Sequence, residues 1–412
     1  MKIVSQPTPA ALDTIELSVV MPCLNEEKTI GSCISKATEA IARLGIKGEV
    51  IIADNGSTDR SVEIALSLGA GVIHQTAKGY GNALMAGCEA ARGRFLLMGD
   101  ADDSYDFSDI GPFVDKLREG YELVIGTRIK GKILPGAMPW KNRYVGNPAL
   151  TATLNLLFHA STSDAHSGMR GFTADAYRRM RLRTPGMEFA SEMIIKAAKL
   201  GLRMTEVPIT FYPDQRDRPP HLRPWRDGWR HLKFMLMFSP SVIFLIPGIG
   251  LLAIGLLLML SQLLAPADAP LRSFGFQMDF HWAIIGSLLT LVGYQVVSTH
   301  FQAKIYSITH RFQEEDPFLR EGFRILTLER VLLIGLSVAL IGLVMDVNLL
   351  LEWMGNRQGL FVSGQTRQAV FGSTLLALGI QTMLNAFFFS ILGDAYKYGY
   401  HGDDEPLKSD RD

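Results

Sequence analysis

The sequence has few cysteines, no net charge and no apolar run close to its first residue. Its three cysteines, Cys23, Cys33 and Cys88, lack the paired spacing of zinc ligands. We therefore expect ordinary buried thiols in a reducing compartment. The balance of 41 basic and 41 acidic residues predicts no nucleic-acid partner. Because no apolar run precedes Leu17, we expect no cleaved secretory signal.

Two glycine-rich nucleotide signatures are also absent. The segment Lys78-Gly79-Tyr80-Gly81-Asn82 lacks the spacing of a P-loop, and it does not follow the first strand as a dinucleotide fingerprint would. It places a cation and two glycines ahead of a predicted helix. Backbone amides at a helix start suit a phosphate or sugar hydroxyls, so Lys78 and Gly79 are candidate donor-binding residues.

The sequence does contain a clear division into a polar half and an apolar half. Four long apolar runs follow residue 237, and a membrane-spanning helix needs about 20 such residues. The predicted spans are 238–264, 282–299, 331–351 and 370–393. Gln381 and Asn385 are polar exceptions, and we expect them to bond between helices.

Basic residues predict how the chain lies in the membrane. Lys and Arg are concentrated before the first span and between the second and third, while the other two loops hold only Arg272, Arg357 and Arg367. The positive-inside rule then predicts a multi-pass integral membrane protein whose soluble domain and both termini face the cytoplasm.

The predicted organisation has five parts. They are an N-terminal tail (1–15), a soluble domain (16–212), a juxtamembrane segment (213–237), a transmembrane domain (238–395) and a cytoplasmic tail (396–412). The juxtamembrane segment carries Trp225 and Trp229 among basic residues after Pro224. Amphipathic helices of this kind lie at the level of the lipid headgroups, so we expect an interfacial helix.

Strand and helix patterns alternate along the soluble half. This order predicts an α/β domain with a mostly parallel, doubly wound sheet. Ligands of such sheets lie beyond the carboxyl ends of the strands. Three polar clusters fall at those positions, at residues 22–27, 54–59 and 100–103.

Asp100 and Asp102 form the sharpest of these clusters. They follow the apolar run 95–98 and lie one residue apart, so they repel each other unless a cation lies between them. Mg²⁺ is usually held by one or two carboxylates together with substrate phosphates. A solvated acidic turn is the alternative, because Asp103 and Asp106 extend the acidic run. The other two clusters also match ordinary turn and helix-cap chemistry.

Together these clusters resemble family 2 glycosyltransferases, and within them polyprenyl-phosphate (dolichyl-phosphate) glycosyltransferases. The similarity spans about residues 16–237. It is carried by Val20-Met21-Pro22-Cys23-Leu24-Asn25-Glu26-Glu27, Asp54-Asn55-Gly56-Ser57-Thr58-Asp59, Lys78-Gly79-Tyr80-Gly81, Asp100-Ala101-Asp102, Gly126-Thr127-Arg128, Asp164, Ser167-Gly168-Met169-Arg170-Gly171-Phe172 and Glu206-Val207-Pro208-Ile209.

The resemblance implies a Rossmann-like nucleotide-sugar-binding fold, a membrane domain of four helices and a role for each motif. The base and ribose would be held by Pro22, Leu24, Glu26 and Asp54. Mg²⁺ or Mn²⁺ and the diphosphate would be held by Asp100, Ala101 and Asp102, with Ser104 in the place of a third metal-side residue. The residues implied for catalysis are Asp102, Arg128, Arg170 and Glu192, of which Glu192 lies on the acidic segment near the reaction centre.

The implied reaction is an inverting transfer of a hexose from a nucleotide-sugar to a polyprenyl phosphate. A phosphate monoester is already largely dianionic at neutral pH, so a strong protein base is dispensable. Arginines can bind such a phosphate with two parallel hydrogen bonds. We expect the acceptor pocket to contain Arg128, Arg170, Arg216 and Arg218. By resemblance UDP-glucose is the leading donor, and GDP-mannose and UDP-N-acetylhexosamines stay open as alternatives. Whether the chain is a homo-oligomer or a monomer also stays open.

Three other functions fit the sequence less well. A processive polysaccharide synthase usually has Gln-x-x-Arg-Trp, and the nearest string, Gln215-Arg216-Asp217-Arg218-Pro219, lacks the tryptophan. A transporter or flippase is disfavoured because the spans hold few ionisable residues and no obvious repeat. An inert scaffold is disfavoured by the intact Asp100/Asp102 pair.

Overall fold

A computed structural model describes residues 15–214, 224–264, 271–273, 276–278, 280–309, 317–355 and 363–397. The chain forms two compact units, Met1–Met235 and Leu236–Asp412. The predicted order of an α/β domain followed by membrane-spanning helices is confirmed. The two units are described separately.

A seven-stranded sheet forms the centre of the first unit. Its strands are β1 (Leu17–Cys23), β2 (Gly48–Asp54), β3 (Gly71–His74), β4 (Phe95–Met98), β5 (Leu123–Ile133), β6 (Arg170–Thr173) and β7 (Met204–Phe211). They lie in the order β3-β2-β1-β4-β6-β5-β7. Only β6 runs antiparallel to its neighbours. The sheet is therefore mostly parallel, as predicted, although the motifs gave no signal for β6 as an inserted antiparallel strand.

Helices cover both faces of this sheet. They are α1 (Ile30–Arg43), α2 (Ser61–Ser67), α3 (Tyr80–Ala90), α4 (Gly111–Arg118), α5 (Asn147–Phe158), α6 (Ala174–Met180), α7 (Phe189–Lys199) and α8 (Pro224–Met237). The first helix begins only at Ile30, whereas β1 ends at Cys23. Asn25 has a left-handed φ of 58°, and Glu26 accepts hydrogen bonds from Thr29 and Ile30 through its carbonyl. These residues therefore form a tight loop at the end of β1.

The central strands β1 and β4 are buried on both faces because nearly all of their residues are apolar, as strands between helices require. In β1, Leu17, Val19 and Val20 are completely buried. On one face α3 packs so closely that a side chain at Gly87 would overlap that of Val20. This packing fixes the start of α3 close to the carboxyl ends of β1 and β4.

The second unit contains four helices long and apolar enough to cross a membrane, over Ser241–Leu263, Phe280–Thr309, Leu328–Gly355 and Gly364–Gly393. These helices are α9 (Ile246–Leu263, preceded by a π-helical turn), α10 (Phe280–Thr309), α12 (Leu328–Gly355) and α13 (Ser363–Lys397). Three short elements lie between them in the sequence, namely the strands β8 (Leu271–Ser273) and β9 (Phe276–Met278) and the helix α11 (Pro317–Ile325). Asn385 bonds Ser298 and Gln302 across α10 and α13, as expected for a polar residue within a span.

We expect Gly342→Val to destabilise the second unit. A Cβ atom at Gly342 would overlap the backbone of Gly372 and Leu376 on α13, and overpacking typically costs about 1–3 kcal/mol. Gly250→Val is the matched control, because no atom lies within 4 Å of its Cβ position. Thermal unfolding of the detergent-solubilised protein should show a lower midpoint for Gly342→Val alone. Equal midpoints for the two variants would contradict the close packing of α12 on α13.

Candidate active site

The polar clusters of β1, β2 and β4 meet at one edge of the sheet. Cys23 at the end of β1 pairs with Asp54 at the end of β2. Val20 of β1 pairs with Met98, the last residue of β4. Asp100 and Asp102 follow two and four residues later, so the structure brings all three clusters together beyond the carboxyl ends of the strands.

The loops after β1 and β2 are held together by side-chain hydrogen bonds. The backbone N–H of Asn25 donates to Ser57 Oγ (2.9 Å), and that of Glu26 donates to Ser61 Oγ (2.8 Å). In return, the Asn25 side chain accepts from the backbone N–H of Thr58 (2.7 Å). The two loops therefore form one surface, on which Pro22 and Leu24 are partly exposed and Glu26 is buried.

Asp54 anchors this surface as an ionised carboxylate. It accepts hydrogen bonds from the backbone of Ser57 (2.9 Å) and Gly56 (3.2 Å), and it pairs with His74 Nδ1 (3.1 Å). Burial tends to raise the pKa of Asp54, but these hydrogen bonds outweigh it and hold the pKa below its usual value. Both carboxylate oxygens thus hold the β2–α2 turn in shape, and a contact of Asp54 with the base or ribose stays a prediction.

Asp100 and Asp102 are held by neighbouring hydroxyl groups. Tyr80 donates its hydroxyl to Asp100 Oδ1 (2.9 Å). Ser104 donates both its backbone N–H (3.1 Å) and its hydroxyl to Asp102 Oδ1. Burial and the charge of Asp100 raise the pKa of Tyr80 well above its usual value, so Tyr80 stays a proton donor.

A glycine makes room beside this pair. A Cβ atom at Gly168 would lie 2.7 Å from Asp100 Oδ2. The backbone N–H of Gly168 donates to the Tyr105 hydroxyl (2.7 Å), and burial raises the pKa of Tyr105 to about 12. The loop that precedes β6 therefore lies directly against Asp100, which the sequence motifs alone did not indicate.

The neighbouring acidic residues have other partners. Asp103 forms an ion pair with Lys36 (2.7 Å). Asp106 caps the short helical turn at Phe107–Asp109 by accepting from the Ser108 backbone (3.0 Å). The acidic run is therefore not a uniform solvated turn, because Asp103 and Asp106 have structural contacts that separate them from the Asp100/Asp102 pair.

The donor set of Asp100 and Asp102 fits a hard divalent cation. Two carboxylates one residue apart provide the oxygen ligands that Mg²⁺ and Mn²⁺ favour. Among the described residues, no three His, Cys, Asp or Glu side chains converge on one point, so substrate phosphates would have to complete the coordination. Ser104 differs from its expected role, since its hydroxyl is directed at Asp102 and positions that carboxylate.

The start of α3 is hydrogen-bonded to two other segments of the chain. The Gly79 N–H and the Lys78 ammonium group each donate to Asn55 (both 2.7 Å). The Gly81 N–H donates to the Pro185 carbonyl (2.9 Å). These contacts fix Tyr80 next to Asp100. The Lys78 side chain is exposed and its ammonium group can donate three hydrogen bonds, so a contact of Lys78 and Gly79 with the donor stays a prediction.

Arg128 is buried in a bidentate ion pair. Its Nε and Nη2 donate to the two carboxylate oxygens of Asp164 (2.7 and 2.8 Å), and its guanidinium group packs over the ring of Phe211. Burial alone would lower the pKa of Arg128, but Tyr105, Asp164 and Asp100 raise it above its usual value. Arg128 is thus a permanent positive charge within the electrostatic range of Asp100.

Arg170 is hydrogen-bonded to backbone carbonyls of the chain. Its side chain is completely buried, and its three nitrogen atoms donate to the carbonyls of Ser167 (2.9 Å), Ala190 (2.6 Å) and Ala165 (2.8 Å). Burial lowers the pKa of Arg170 to about 10. In this structure Arg170 joins the loop before β6 to α7, and its expected catalytic and acceptor-binding role stays a prediction.

Glu192 likewise binds other parts of the chain, and its expected catalytic role stays a prediction. It is 1% exposed, its carboxylate accepts from the backbone N–H groups of Arg183 and Thr184, and Lys196 pairs with it (2.7 Å). These contacts hold the loop whose Pro185 carbonyl receives α3. Glu192 therefore stabilises the loop that supports the start of α3.

Arg216 and Arg218, the other predicted acceptor residues, lie outside the described part of the chain.

A pair of histidines next to this site has no counterpart in the motifs. Ser191 Oγ lies 2.8 Å from His231 Nδ1 on α8 and 3.5 Å from His166 Nε2. The two imidazole rings meet edge to face with centroids 4.6 Å apart. His166 Nδ1 is buried and has no hydrogen-bond partner in the described regions. Burial and the charges of His231, Arg170 and Arg128 lower the pKa of His166 well below 6.5.

We expect this histidine to make the first unit less stable in acid. At neutral pH His166 is neutral in the folded and the unfolded state. Below the ordinary pKa of 6.5 His166 becomes protonated in the unfolded state but not in the folded state. The free energy of unfolding therefore decreases as the pH falls, by up to about 1.4 kcal/mol per pH unit. Thermal unfolding midpoints of wild type and His166→Gln between neutral pH and pH 5.5 measure this. The unfolding midpoint of the variant should decrease less steeply with falling pH than that of the wild type. Equal slopes of midpoint against pH would contradict the assignment of this acid sensitivity to His166.

Comparison with known proteins identifies the family. The model of Glycosyl transferase family 2 matches residues 18–181, and that of the Glycosyltransferase family 2 C-terminal transmembrane region matches residues 301–393. The chain is 39% identical over 379 residues to the low-salt glycan biosynthesis hexosyltransferase Agl6 of Haloferax volcanii, which covers 92% of this chain and 89% of that protein.

Two further similarities are more partial. A dolichyl-phosphate hexose transferase of Haloferax volcanii is 36% identical over 204 residues, which is 48% of this chain and 82% of that protein. The crystal structure of glucosyl-3-phosphoglycerate synthase from Mycobacterium tuberculosis with Mn²⁺ and UDP-glucose has 25% identity and a TM-score of 0.44 over 54% of this chain and 78% of that one. A likeness that distant does not bear on the donor or the metal. The resemblance found in the sequence is confirmed by the family models and by Agl6: this chain belongs to glycosyltransferase family 2 and carries that family's C-terminal transmembrane region.

Proposed function

We propose that this glycosyltransferase moves one hexose from a nucleotide-sugar to a polyprenyl phosphate at the cytoplasmic face of a membrane, with inversion at the anomeric carbon. The observation that carries the proposal is the Asp100/Asp102 pair. It lies at the ligand-binding edge of the sheet, in a chain that also has four helices apolar enough to cross a membrane. UDP-glucose is the leading donor, with GDP-mannose and UDP-N-acetylhexosamines as alternatives.

The names of the relatives support a hexose and a lipid acceptor. Agl6, similar along nearly the whole chain, is named a hexosyltransferase of glycan biosynthesis. The second relative is named for hexose transfer to dolichyl phosphate. A polyprenyl acceptor also gives the membrane helices a purpose, because its tail partitions into lipid and its phosphate lies at the headgroup level.

The donor would bind along the edge formed by the loops after β1, β2 and β4. The base and ribose would lie near Pro22, Leu24, Glu26 and Asp54, and the diphosphate near Asp100 and Asp102. Mg²⁺ or Mn²⁺ bound by these two aspartates would supply a positive charge that stabilises the leaving diphosphate. Tyr80 and Ser104 keep the two carboxylates in position.

The acceptor requires charge neutralisation rather than a base. Its phosphate is already an anionic nucleophile at neutral pH, which agrees with the structural role of Glu192, whose carboxylate is occupied by backbone N–H groups. Among the predicted arginines, Arg128 is the described residue whose charge lies close to Asp100. Arg170, Arg216 and Arg218 remain candidates for the same phosphate.

The membrane topology and the juxtamembrane helix are part of this proposal. The distribution of Lys and Arg supports a cytoplasmic site and cytoplasmic termini. The predicted interfacial helix coincides with α8, which begins at Pro224 and keeps His231 buried while Trp229 is 62% exposed. An exposed tryptophan on such a helix is typical of the lipid headgroup region.

The experiment that tests the proposal is a panel of donors. Purified full-length protein is incubated with polyprenyl phosphate, Mg²⁺ or Mn²⁺, and one radiolabelled nucleotide-sugar at a time. We expect label to move into the organic phase with one donor, only when the lipid phosphate is present. Failure with every donor and both metals would overturn the transfer to lipid. A product with many sugars per lipid would instead favour a processive synthase.

A further inference from the structure

In the first unit, a helical segment between β5 and β6 has an apolar exposed side. Residues 140–158 are continuously helical, since a π-helical turn at Asn142–Gly146 leads directly into α5. Its exposed residues at a spacing of four are Trp140, Tyr144, Pro148, Ala152 and Leu156. Residues at this spacing share one face of a helix. The 140–158 segment therefore presents a continuous apolar stripe outward.

The large side chains of this stripe, and Val145 beside them, are mostly exposed. Trp140 is 65% exposed, Tyr144 66%, Leu156 78% and Val145 57%. The opposite face of the segment is the one that meets the domain, because Thr151 and Leu154 are buried. By contrast, α1 buries its apolar residues against the sheet, including Cys33, Ile34 and Ile41. A contiguous exposed apolar patch usually marks a surface that binds something.

The charged residues close to the stripe in the sequence are basic, and one of them, Lys130, pairs with Glu206 (2.7 Å). The stretch from 129 to 163 contains Lys130, Lys132, Lys141 and Arg143, and it contains no acidic residue. The Lys141 ammonium group lies 5.9 Å from the centre of the Trp140 ring, and the Arg143 guanidinium group lies 5.3 Å from that of Tyr144. Aromatic rings joined to basic groups in this way suit the boundary between lipid headgroups and acyl chains.

The geometry points to an anionic lipid bilayer as the partner of this stripe. We propose that the 140–158 segment lies in the membrane surface, with the stripe from Trp140 to Leu156 turned toward the acyl chains and with Lys141 and Arg143 at the headgroup phosphates. The same chain continues from Ser241 into helices that are apolar enough to cross a membrane. This contact is separate from the one expected for α8.

The contact can be tested by spin labelling of the full-length protein. Tyr144→Cys and Leu156→Cys would carry a nitroxide in liposomes of phosphatidylcholine with phosphatidylglycerol. The matched control is Leu66→Cys, an apolar residue of α2 that is 58% exposed in the same unit. The native cysteines are buried, so an unlabelled wild-type reaction checks that they do not react. Collision rates with oxygen and with a water-soluble nickel complex then report depth.

We expect the labels at 144 and 156 to be protected from the nickel complex and accessible to oxygen, at a depth of about 5–10 Å, while the label at 66 shows the reverse. Nickel accessibility equal to that of position 66 would overturn the proposal. Spin–spin broadening at 144 or 156 would overturn it as well, since a second copy of the chain would then cover the stripe. Either result would leave the sugar transfer standing, because that is tested by the fate of the donor label.

Discussion

Replacing Asp100 and Asp102 together with asparagine is expected to lower the rate of lipid glycosylation by at least about a thousandfold, or about 4 kcal/mol in the activation free energy. The reason is that two neutral amides cannot hold a divalent cation against the leaving diphosphate. Asparagine keeps the size of each side chain and can still accept from Tyr80 and Ser104. The fold should therefore survive. The rate is measured with saturating donor and acceptor over a range of Mg²⁺ and Mn²⁺.

Asp109→Asn is the matched control for that double variant. Asp109 is exposed in the turn that follows the pair, so the same loss of charge there should leave the rate close to wild type. An undiminished rate in the Asp100→Asn/Asp102→Asn protein would show that the pair does not hold the metal. A rate restored by high metal would show weakened binding and support the assignment.

Asp164→Leu is expected to have the second large effect, this time on stability. Asp164 is 1% exposed and holds the buried Arg128 with two parallel hydrogen bonds. Removing one partner of a buried ion pair leaves an uncompensated charge, which costs about 3–5 kcal/mol. Unfolding by denaturant, followed by far-UV circular dichroism of the detergent-solubilised protein, should show this loss.

The double variant Arg128→Met/Asp164→Leu separates structure from chemistry. Replacing both partners of a buried ion pair by apolar residues is often close to neutral for stability. We therefore expect the double variant to regain most of the stability lost by Asp164→Leu and yet to transfer little sugar, because the positive charge near Asp100 is gone. Recovery of both stability and rate would remove Arg128 from the acceptor site and leave the pair a purely structural role.

The position of the site could be predicted from the sequence because it depends on local patterns. An apolar run followed by polar residues marks the carboxyl end of a buried strand, and parallel strands bring those ends to one edge. Asp54, Asp100 and Asp102 were placed correctly on that basis. The family could also be predicted, because the order and spacing of short motifs survive where each motif alone is ambiguous.

The roles of individual residues were harder to predict because they depend on distant contacts. Glu192 bonds the Arg183–Pro185 loop, which in turn receives the start of α3 about 100 residues earlier in the chain. Arg170 donates to three carbonyls from two different segments. A motif shows that a charged residue is required, but only the fold shows whether its charge is directed at a ligand or at the backbone.

The outward stripe of the 140–158 segment could not be predicted for a related reason. An apolar face at helical spacing in a soluble domain usually belongs to the core. Here the sheet is already covered on both faces, so the stripe has no protein surface left to meet among the described residues of its unit. The stripe faces outward because Thr151 and Leu154, on the other side of the segment, are buried. Sequence spacing alone does not determine which side of the segment is buried.

The most direct test of the whole account is the intact mass of the lipid product. Wild-type protein and the Asp100→Asn/Asp102→Asn variant are reconstituted in liposomes that contain polyprenyl phosphate, and supplied with the donor found in the panel. The account predicts a wild-type product heavier than the acceptor by one dehydrated hexose (one N-acetylhexosamine if that donor is used) with a single phosphate, and almost none from the variant. A product with two phosphates, or equal amounts from both proteins, would contradict it.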